Sequence, residues 1–306
     1  MKKEANHPYL IDSISELHRI LQLPKPVHPL VSVIDLSEIT CYEEYSLKNV
    51  IYNFHSVCIK KDFKGKMKYG QNSYDFDEGI LTFFSPGQVI STEITADLKL
   101  AGRWLVIHPD FIRNYQLANR IREYGYFSYA TNEALHLSEK EEQMIEGIMK
   151  NIELEYHSAI DNYSQDVIIS HIELLLSYSN RFYNRQFITR KNAGGDLLTN
   201  LETLLTDYFT GDKVREMGLP TVQYISGKLN ISPNYLSDML RSLTGHSTQQ
   251  HIHNKLIDTA KDILITTSLS VSEIAYQLGF EYPQSFSKLF KSKTNLSPLA
   301  FKNSFN

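Results

Sequence analysis

The spacing of apolar residues along the 306-residue chain changes period twice, and the changes divide it into three stretches. In the first, Ile14, Leu17, His18 and Leu21 recur at helical intervals within 13–23 until Pro24, Pro26 and Pro29 stop them. Short β-branched and aromatic runs then follow at 30–36, 50–59, 66–76, 79–84, 89–94 and 104–108, punctuated by Gly65, Gly70, Gly79 and Pro86-Gly87. That rhythm predicts a small β-sandwich or barrel.

Helical periodicity returns at Ser138. Ser138-Glu139-Lys140-Glu141 has the form of a capping box, and Met144, Ile148 and Ile152 mark one face of the helix it opens. A second helix is predicted over 163–187, striped by Ile168, Ile172, Leu175, Tyr178 and Phe182. Two successive amphipathic helices either cover the sheet or pair with a second subunit. Coverage alone seldom needs both, so a homodimer through 138–187 is the favoured expectation. The polar run 189–195, ending in two glycines, reads as a linker between a first domain at 1–188 and a second at 196–306.

The third stretch repeats itself. Val222-Gln-Tyr-Ile-Ser-Gly-Lys-Leu-Asn-Ile231 and Val271-Ser-Glu-Ile-Ala-Tyr-Gln-Leu-Gly-Phe280 match one another 49 residues apart. In each, an apolar stripe (Val222, Ile225, Leu229; Val271, Ile274, Leu278) follows a capping residue, Thr221 or Ser270 with Glu273. Each stripe ends in Asn230 or Gly279, residue types that enter the left-handed conformation at least cost. A second helix follows each turn. Ser232-Pro233 and Pro283 mark the starts, with Leu236, Met239, Leu240 and Leu243, then Phe286, Leu289 and Phe290, on the stripes.

Helix, short turn, helix is the helix-turn-helix pattern, here at about 221–244 and 270–294, and its second helix enters the DNA major groove. Basic side chains off the stripe, Arg241 in the first copy and Lys288 and Lys291 in the second, set it apart from a hairpin repeat that merely packs. Between the copies a helix is predicted over 248–266, ~28 Å long at ~1.5 Å per residue. That length is close to the ~34 Å between successive major-groove faces, so both second helices reach one side of a duplex.

Charge adds a little to this picture. The chain carries 31 Lys and Arg against 35 Asp and Glu, with 42% apolar residues, which excludes a disordered chain and a polybasic nucleic-acid coat. From Met217 onward, eight basic side chains oppose five acidic ones, leaving −7 for the rest of a chain whose net charge is −4. No apolar run is long enough to span a bilayer and the first eight residues lack a secretory signal, so a soluble, cytoplasmic protein without a membrane partner is expected. Cys41 and Cys58 fit no zinc spacing and read as reduced thiols.

The run 270–298 (SVSEIAYQLGFEYPQSFSKLFKSKTNLSP) resembles the signature of AraC/XylS-type transcription regulators, and 231–246 (ISPNYLSDMLRSLTGH) is similar to it. The likeness covers about 100 residues from Leu204 onward. It implies an α+β protein: an N-terminal cupin-like β-barrel with a helical hairpin, for dimerisation or effector sensing, then an all-α domain of seven helices with two helix-turn-helix units. It implies double-stranded DNA as partner, RNA polymerase as a further one, and a small-molecule effector. Residues 30–187 match the family only loosely.

Carried over residue by residue, the base-reading positions are Asn234, Ser237 and Asp238 in the first recognition helix and Gln284, Ser285 and Lys288 in the second. Arg241, Lys291 and Lys293 fall to phosphates, which set affinity without reading bases. Gln284 suits adenine and Lys288 suits guanine. Asp238 departs from the family's frequent basic residue. A carboxylate facing the groove is repelled by phosphates and accepts only from cytosine N4 or an adenine amino group, which marks an unusual sequence choice or a weakly engaged first unit. Asn295 stands where the family usually has Gly, and Asn tolerates the same turn.

The first half offers little chemistry. Gly79-Ile-Leu-Thr-Phe-Phe-Ser-Pro-Gly87 resembles the glycine-proline-glycine frame of cupins, whose enzymes hold metal through a His-x-His pair with a Glu and a later His. No His-x-His occurs in the β region, where His55 and His108 stand alone. His251-Ile-His253 lies in a predicted helix, on which positions two apart do not share a face. No nucleophile elbow, P-loop or dinucleotide fingerprint is present. The expectation is a regulator with no catalytic residues, metal or cofactor; the alternative is a metal-dependent cupin enzyme with a helical appendage. For an effector, Phe54, Phe83, Phe84 and Trp104 are candidates to line a barrel mouth, with Arg103 as anion partner, against the plainer reading that they fill the barrel.

Overall fold

The computed structural model describes residues 8–39, 49–61, 67–69, 72–74, 79–91, 101–130, 133–158, 161–189, 191–211 and 213–305. Cys41, Gly65, Gly70, Arg190 and the expected strand positions 66, 71, 75–76 and 92–94 lie outside them. The chain divides into two compact units, Met1–Gln186 and Phe187–Asn306.

In the first unit, β1 (Tyr9–Ile11) leads into α1 (Ile14–Ile20), which Ser13 opens by accepting from the Glu16 amide. The strands β2 (Val31–Asp35), β3 (Asn49–Tyr52), β4 (His55–Lys61), β5 (Met67–Tyr69), β6 (Asn72–Tyr74), β7 (Ile80–Phe84), β8 (Val89–Ser91) and β9 (Ala101–Ile107) follow. The short α2 (Pro109–Ile112) and α3 (Leu117–Arg120) precede β10 (Leu135–His136), α4 (Glu139–His157) and α5 (Ser164–Thr189). Five strands make one antiparallel sheet in the order β10-β7-β4-β9-β2. A second sheet, β1-β3-β8, contains one parallel pair.

Among the described residues these sheets are open, with β10 and β2 as the edges of the larger one, and this corrects the expected closed barrel. The reason lies in the two faces of the sheet. Alternate residues of a strand point to opposite sides. One side, with Ile34, Cys58 and Val106, packs with Ile11, Ile14, Leu17, Leu21, Val50 and Phe54 from β1, α1 and β3. The other side, with Val57, Ile59, Leu81, Phe83, Leu105 and Ile107, is equally buried, and α4 crosses it. With both faces already covered, closing the sheet on itself would bury no further apolar surface.

Both long helices therefore serve the unit's own core. The capping box at Ser138 and Glu141 opens α4 as expected, and Ile145, Ile148, Met149, Ile152 and Tyr156 face inward, whereas Met144, expected on that stripe, is exposed. From α5, Ile168, Ile172, Leu175, Leu176, Phe182 and Tyr183 are buried. Its backbone and side chains also bond to the segment after β9: Gln165 donates to the Phe111 carbonyl of α2 (2.7 Å) and the Leu176 carbonyl accepts from Tyr126 (3.1 Å). Arg185 holds Glu141 through Nε (3.0 Å) and Nη2 (2.7 Å), tying α5 to the start of α4. No helix among the described residues is long and apolar enough to cross a membrane.

The five aromatic and basic residues expected around one mouth do not converge. Phe54 is fully buried in the core shared with α1, and Trp104 packs against that core while its indole N–H donates to Ser56. Arg103 sits on the other side of the sheet, engaged by Glu153 of α4. Only Phe83 and Phe84 border a common space, a narrow crevice shared with Thr82, Tyr126, Tyr129, Ala130, Ala134 and Tyr183.

One buried polar atom in this unit lacks a partner among the described residues, the Nδ1 of His55, whose ring stands edge-on to Phe127 at 5.5 Å. Burial, reinforced by the charge of Arg122, pushes its pKa down to about 4. The unfolded chain takes up a proton near pH 6.5 and the folded unit does not, so the stability His55 contributes is complete above pH 6.5 and drains away toward pH 4. At roughly 1.4 kcal/mol per pH unit the loss reaches about 3 kcal/mol over that window. Thermal melting at stepped pH should show this decline, and His55→Leu should flatten it; an unchanged slope in the variant would assign the acid sensitivity elsewhere.

Candidate nucleic-acid interface

The second unit is all-helical among its described residues: α6 (Lys191–Thr210), α7 (Lys213–Met217), α8 (Val222–Leu229), α9 (Pro233–Thr244), α10 (Thr248–Thr266), α11 (Val271–Gln277), α12 (Pro283–Thr294) and α13 (Pro298–Asn303). These are eight helices rather than seven. The stretch 189–195 holds the last residue of α5, Arg190, and the start of α6.

Each helix end follows from its local sequence. Thr221 accepts from the Tyr224 amide at 3.1 Å, and Ser270 and Glu273 satisfy each other's backbone amides at 3.3 and 2.7 Å. Helix α8 stops at Asn230, which turns left-handed at φ 54°, and α11 stops before Gly279 at φ 81°. The second helices start on Pro233 and Pro283 and end on left-handed Gly245 and Asn295, so Asn295 makes the turn that Gly was expected to make. Gly279 has a second reason to be glycine: a Cβ there would meet the Val214 carbonyl oxygen at 2.7 Å and Gly218 at 3.0 Å. The turn of the second helix-turn-helix is thereby seated directly on the end of α7.

The apolar stripes fill the core as spaced. Ile225, Leu236, Met239 and Leu240 are buried in the first copy and Ile274, Leu278, Phe286 and Phe290 in the second, with Leu243 and Leu289 half-buried. Between them α10 is fixed at both ends. Ser247 and Gln250 form a capping box at its start, and Lys302 donates to the Thr267 and Leu269 carbonyls (3.0 and 2.8 Å) just beyond its end. His251 and His253 bond to different partners, Thr244 and Gln249, and no three His, Cys, Asp or Glu among the described residues are placed to hold a metal.

With the stripes turned inward, α9 leaves Asn234 and Arg241 exposed and Ser237 and Asp238 half-buried. Ser237 is committed inside the domain, its hydroxyl 3.0 Å from that of buried Thr248. Asp238 accepts from Arg241 Nη1 at 2.8 Å. On α12, Gln284, Ser285, Lys288, Lys291 and Lys293 are all exposed, and these three lysines form no ion pair with described residues. Lys293 is felt nonetheless: burial first, then its positive charge, lowers the pKa of His253 on α10. Offset by fifty residues, Asp238 falls on Lys288 and Arg241 on Lys291, so the two recognition helices carry opposite charge at one matched position and like charge at the next. The Asp238–Arg241 pair went unforeseen, although its i,i+3 spacing was a readable signal.

Two capped helix-turn-helix units joined by a clamped connector define a DNA-binding domain, and the helix-turn-helix domain family matches residues 225–304. This domain is of the AraC type. The chain is 30% identical over 81 residues to "Histidine kinase P4" of Formosa agariphila, covering 26% of this chain and 6% of that protein. It is 28% identical over 144 residues to an uncharacterized HTH-type transcriptional regulator, YfiF, of Bacillus subtilis, covering 47% of this chain and 42% of that one. The chain thus spans less than half the length of either relative. Among solved structures, the C-terminal domain of the two-component response regulator yesN from Fusobacterium nucleatum matches 33% of this chain and 93% of its own at 29% identity and TM-score 0.29.

Two of the left-handed glycines, Gly245 and Gly279, separate backbone strain from steric contact. Gly245 has open space around it at φ 79°, so Gly245→Ala should cost about 1 kcal/mol, the left-handed penalty alone. Gly279→Ala adds a collision with the end of α7 and should cost roughly 3 kcal/mol or more. Urea unfolding of the two variants measures the difference; equal losses would mean that the seat on α7 yields freely.

Proposed function

We propose that the chain is a sequence-specific DNA-binding transcription regulator. In this reading α9 and α12 enter successive major grooves on one side of double-stranded DNA, Asn234, Ser237, Asp238, Gln284, Ser285 and Lys288 read bases, and Arg241, Lys291 and Lys293 meet phosphates. The observation that carries it is the pair of second helices whose buried stripes leave Asn234, Arg241, Gln284, Ser285, Lys288, Lys291 and Lys293 exposed and Asp238 half-exposed. A base contact by Ser237 exchanges its bond to Thr248.

The domain boundaries proposed with this function are 1–188, a linker at 189–195 and 196–306. The N-terminal unit is assigned cupin-like ancestry, dimerisation and effector sensing, RNA polymerase is a further partner, and the cytoplasm is the site of action. The open antiparallel sheet with its Gly79-to-Gly87 frame supports the first assignment. For dimerisation the support is a stripe on α5 spaced four, three and four residues apart: Val167 and Leu174 exposed, His171 and Tyr178 half-buried. For an effector it is the aromatic lining of the narrow crevice beside Phe83 and Phe84, which would have to widen to admit a ligand.

Affinity for a selected duplex should fall steeply as salt rises, because every neutralised phosphate releases counterion. Lys291→Ala should weaken all sequences alike and reduce the slope of log affinity against log salt by about one, whereas Lys288→Ala should relax preference at one base at a cost of roughly 1–3 kcal/mol. Indistinguishable profiles for the two variants would defeat this division of roles. Sedimentation of the free chain should give a dimer that Leu174→Glu converts to monomer; a wild-type monomer would remove the role given to α5.

A further inference from the structure

We infer that Asp238 and Arg241 act as one base-reading device, in which the carboxylate holds the guanidinium so that its free edge takes the O6 and N7 acceptors of a guanine. The inference rests on the DNA-binding reading above and moves Arg241 from the phosphates to the bases.

The geometry of the pair leads there. Of the guanidinium nitrogens, Nη1 is the one that donates to Asp238 Oδ1, at 2.8 Å, the carboxylate lying three residues earlier on α9. That leaves the edge made by Nε and Nη2, two parallel N–H groups, without a partner among the described residues, on a side chain that is 58% exposed. Guanine presents two acceptors in the major groove that match such an edge. Asn234, Asp238 and Arg241 follow one another at helical spacing along the outward side of α9, so the held guanidinium lies on the same face as the helix's N-terminal polar residue.

The competing explanations of the pair are weaker. An ion pair this exposed contributes little to folding, since solvent screens it. As a phosphate clamp Arg241 is poorly served, because a carboxylate 2.8 Å away cancels much of its field and itself repels phosphate. The second unit supplies the contrast: fifty residues on, Lys288 and Lys291 occupy the same two positions, so Lys291 has no carboxylate at the matched position to cancel its field and suits phosphate attraction, while Lys288 remains the base reader. A long Arg side chain loses rotamer freedom when it binds, and one already held by a neighbour loses less. Asp238 is thus a positioning residue and Arg241 the reader, and the repulsion a groove-facing carboxylate would suffer is offset by the cation beside it.

The test uses the full chain as wild type, D238A, D238N, R241A, R241K and the double variant D238A/R241A. Each is incubated with a random duplex pool, the retained DNA is sequenced, and the salt dependence of binding to the best wild-type site is measured. Wild type should enrich a guanine outside the half-site that Lys288→Ala disturbs. D238A, D238N and R241A should each reduce that guanine preference by roughly tenfold, the double variant should lose no more, and R241K should fail to restore it because an ammonium has no fork. Unchanged thermal melting separates loss of reading from loss of fold. If D238A instead tightens binding to all sequences, with the guanine intact and the salt slope steeper by about one, Asp238 merely repels and Arg241 is a clamp. Wild-type selections with no guanine in that half-site also overturn the inference while leaving DNA binding in place. A wild-type chain that enriches no duplex at all overturns both.

Discussion

The left-handed residue after each first helix, Asn230 in one copy and Gly279 in the other, is the constraint on which the C-terminal unit depends. A helix that continued past either point would carry its apolar stripe into solvent and leave the second helix no core to pack on. By turning there, α8 and α11 lay Ile225 and Ile274 against the stripes of α9 and α12, and the polar faces of those helices are left pointing outward as a result. Burial thus decides orientation, and orientation decides which side chains face a duplex. Glycine is required at 279 for space as well as for dihedral angle, whereas asparagine suffices at 230 and 295, where only the dihedral angle matters.

The helical half was legible because its signals are local. Capping residues, prolines at first positions and left-handed stops each act within one turn of chain, so α9 and α12 start where Ser232-Pro233 and Pro283 announce. The β half was legible only as a rhythm. Whether strands close into a barrel depends on what covers each face, and that is decided by residues far away in sequence: α4 lies some eighty residues beyond β4 yet contributes Glu142 and Glu146 to hold Lys61 of that strand. The same nonlocality explains the expected effector residues. Phe83 and Phe84 are neighbours that meet one cleft, while Arg103 and Trp104, also neighbours, point to opposite sides of the sheet and find Glu153 and Ser56 there.

Within the recognition helices the residue types were readable and their engagements were not. Ser237 was expected at a base and is bonded to Thr248, because the helix rotation set by Leu236 and Leu240 turns it toward the start of α10. Asp238 looked like a misplaced charge in isolation. Its meaning changes once Arg241 is seen beside it, since a charge in the groove can be either an obstacle to the partner or part of the tool that meets it.

Clamped at its first turn by Ser247 and Gln250 and just past its last by Lys302, the connecting helix behaves as a ruler that does not stretch. A reader of this build recognises its target as a single word rather than as two movable syllables. In the proposed reading, slipping one base pair into the middle of that word would swing the far half by about 36° around the duplex axis, away from α12, so operator length would matter as much as operator letters.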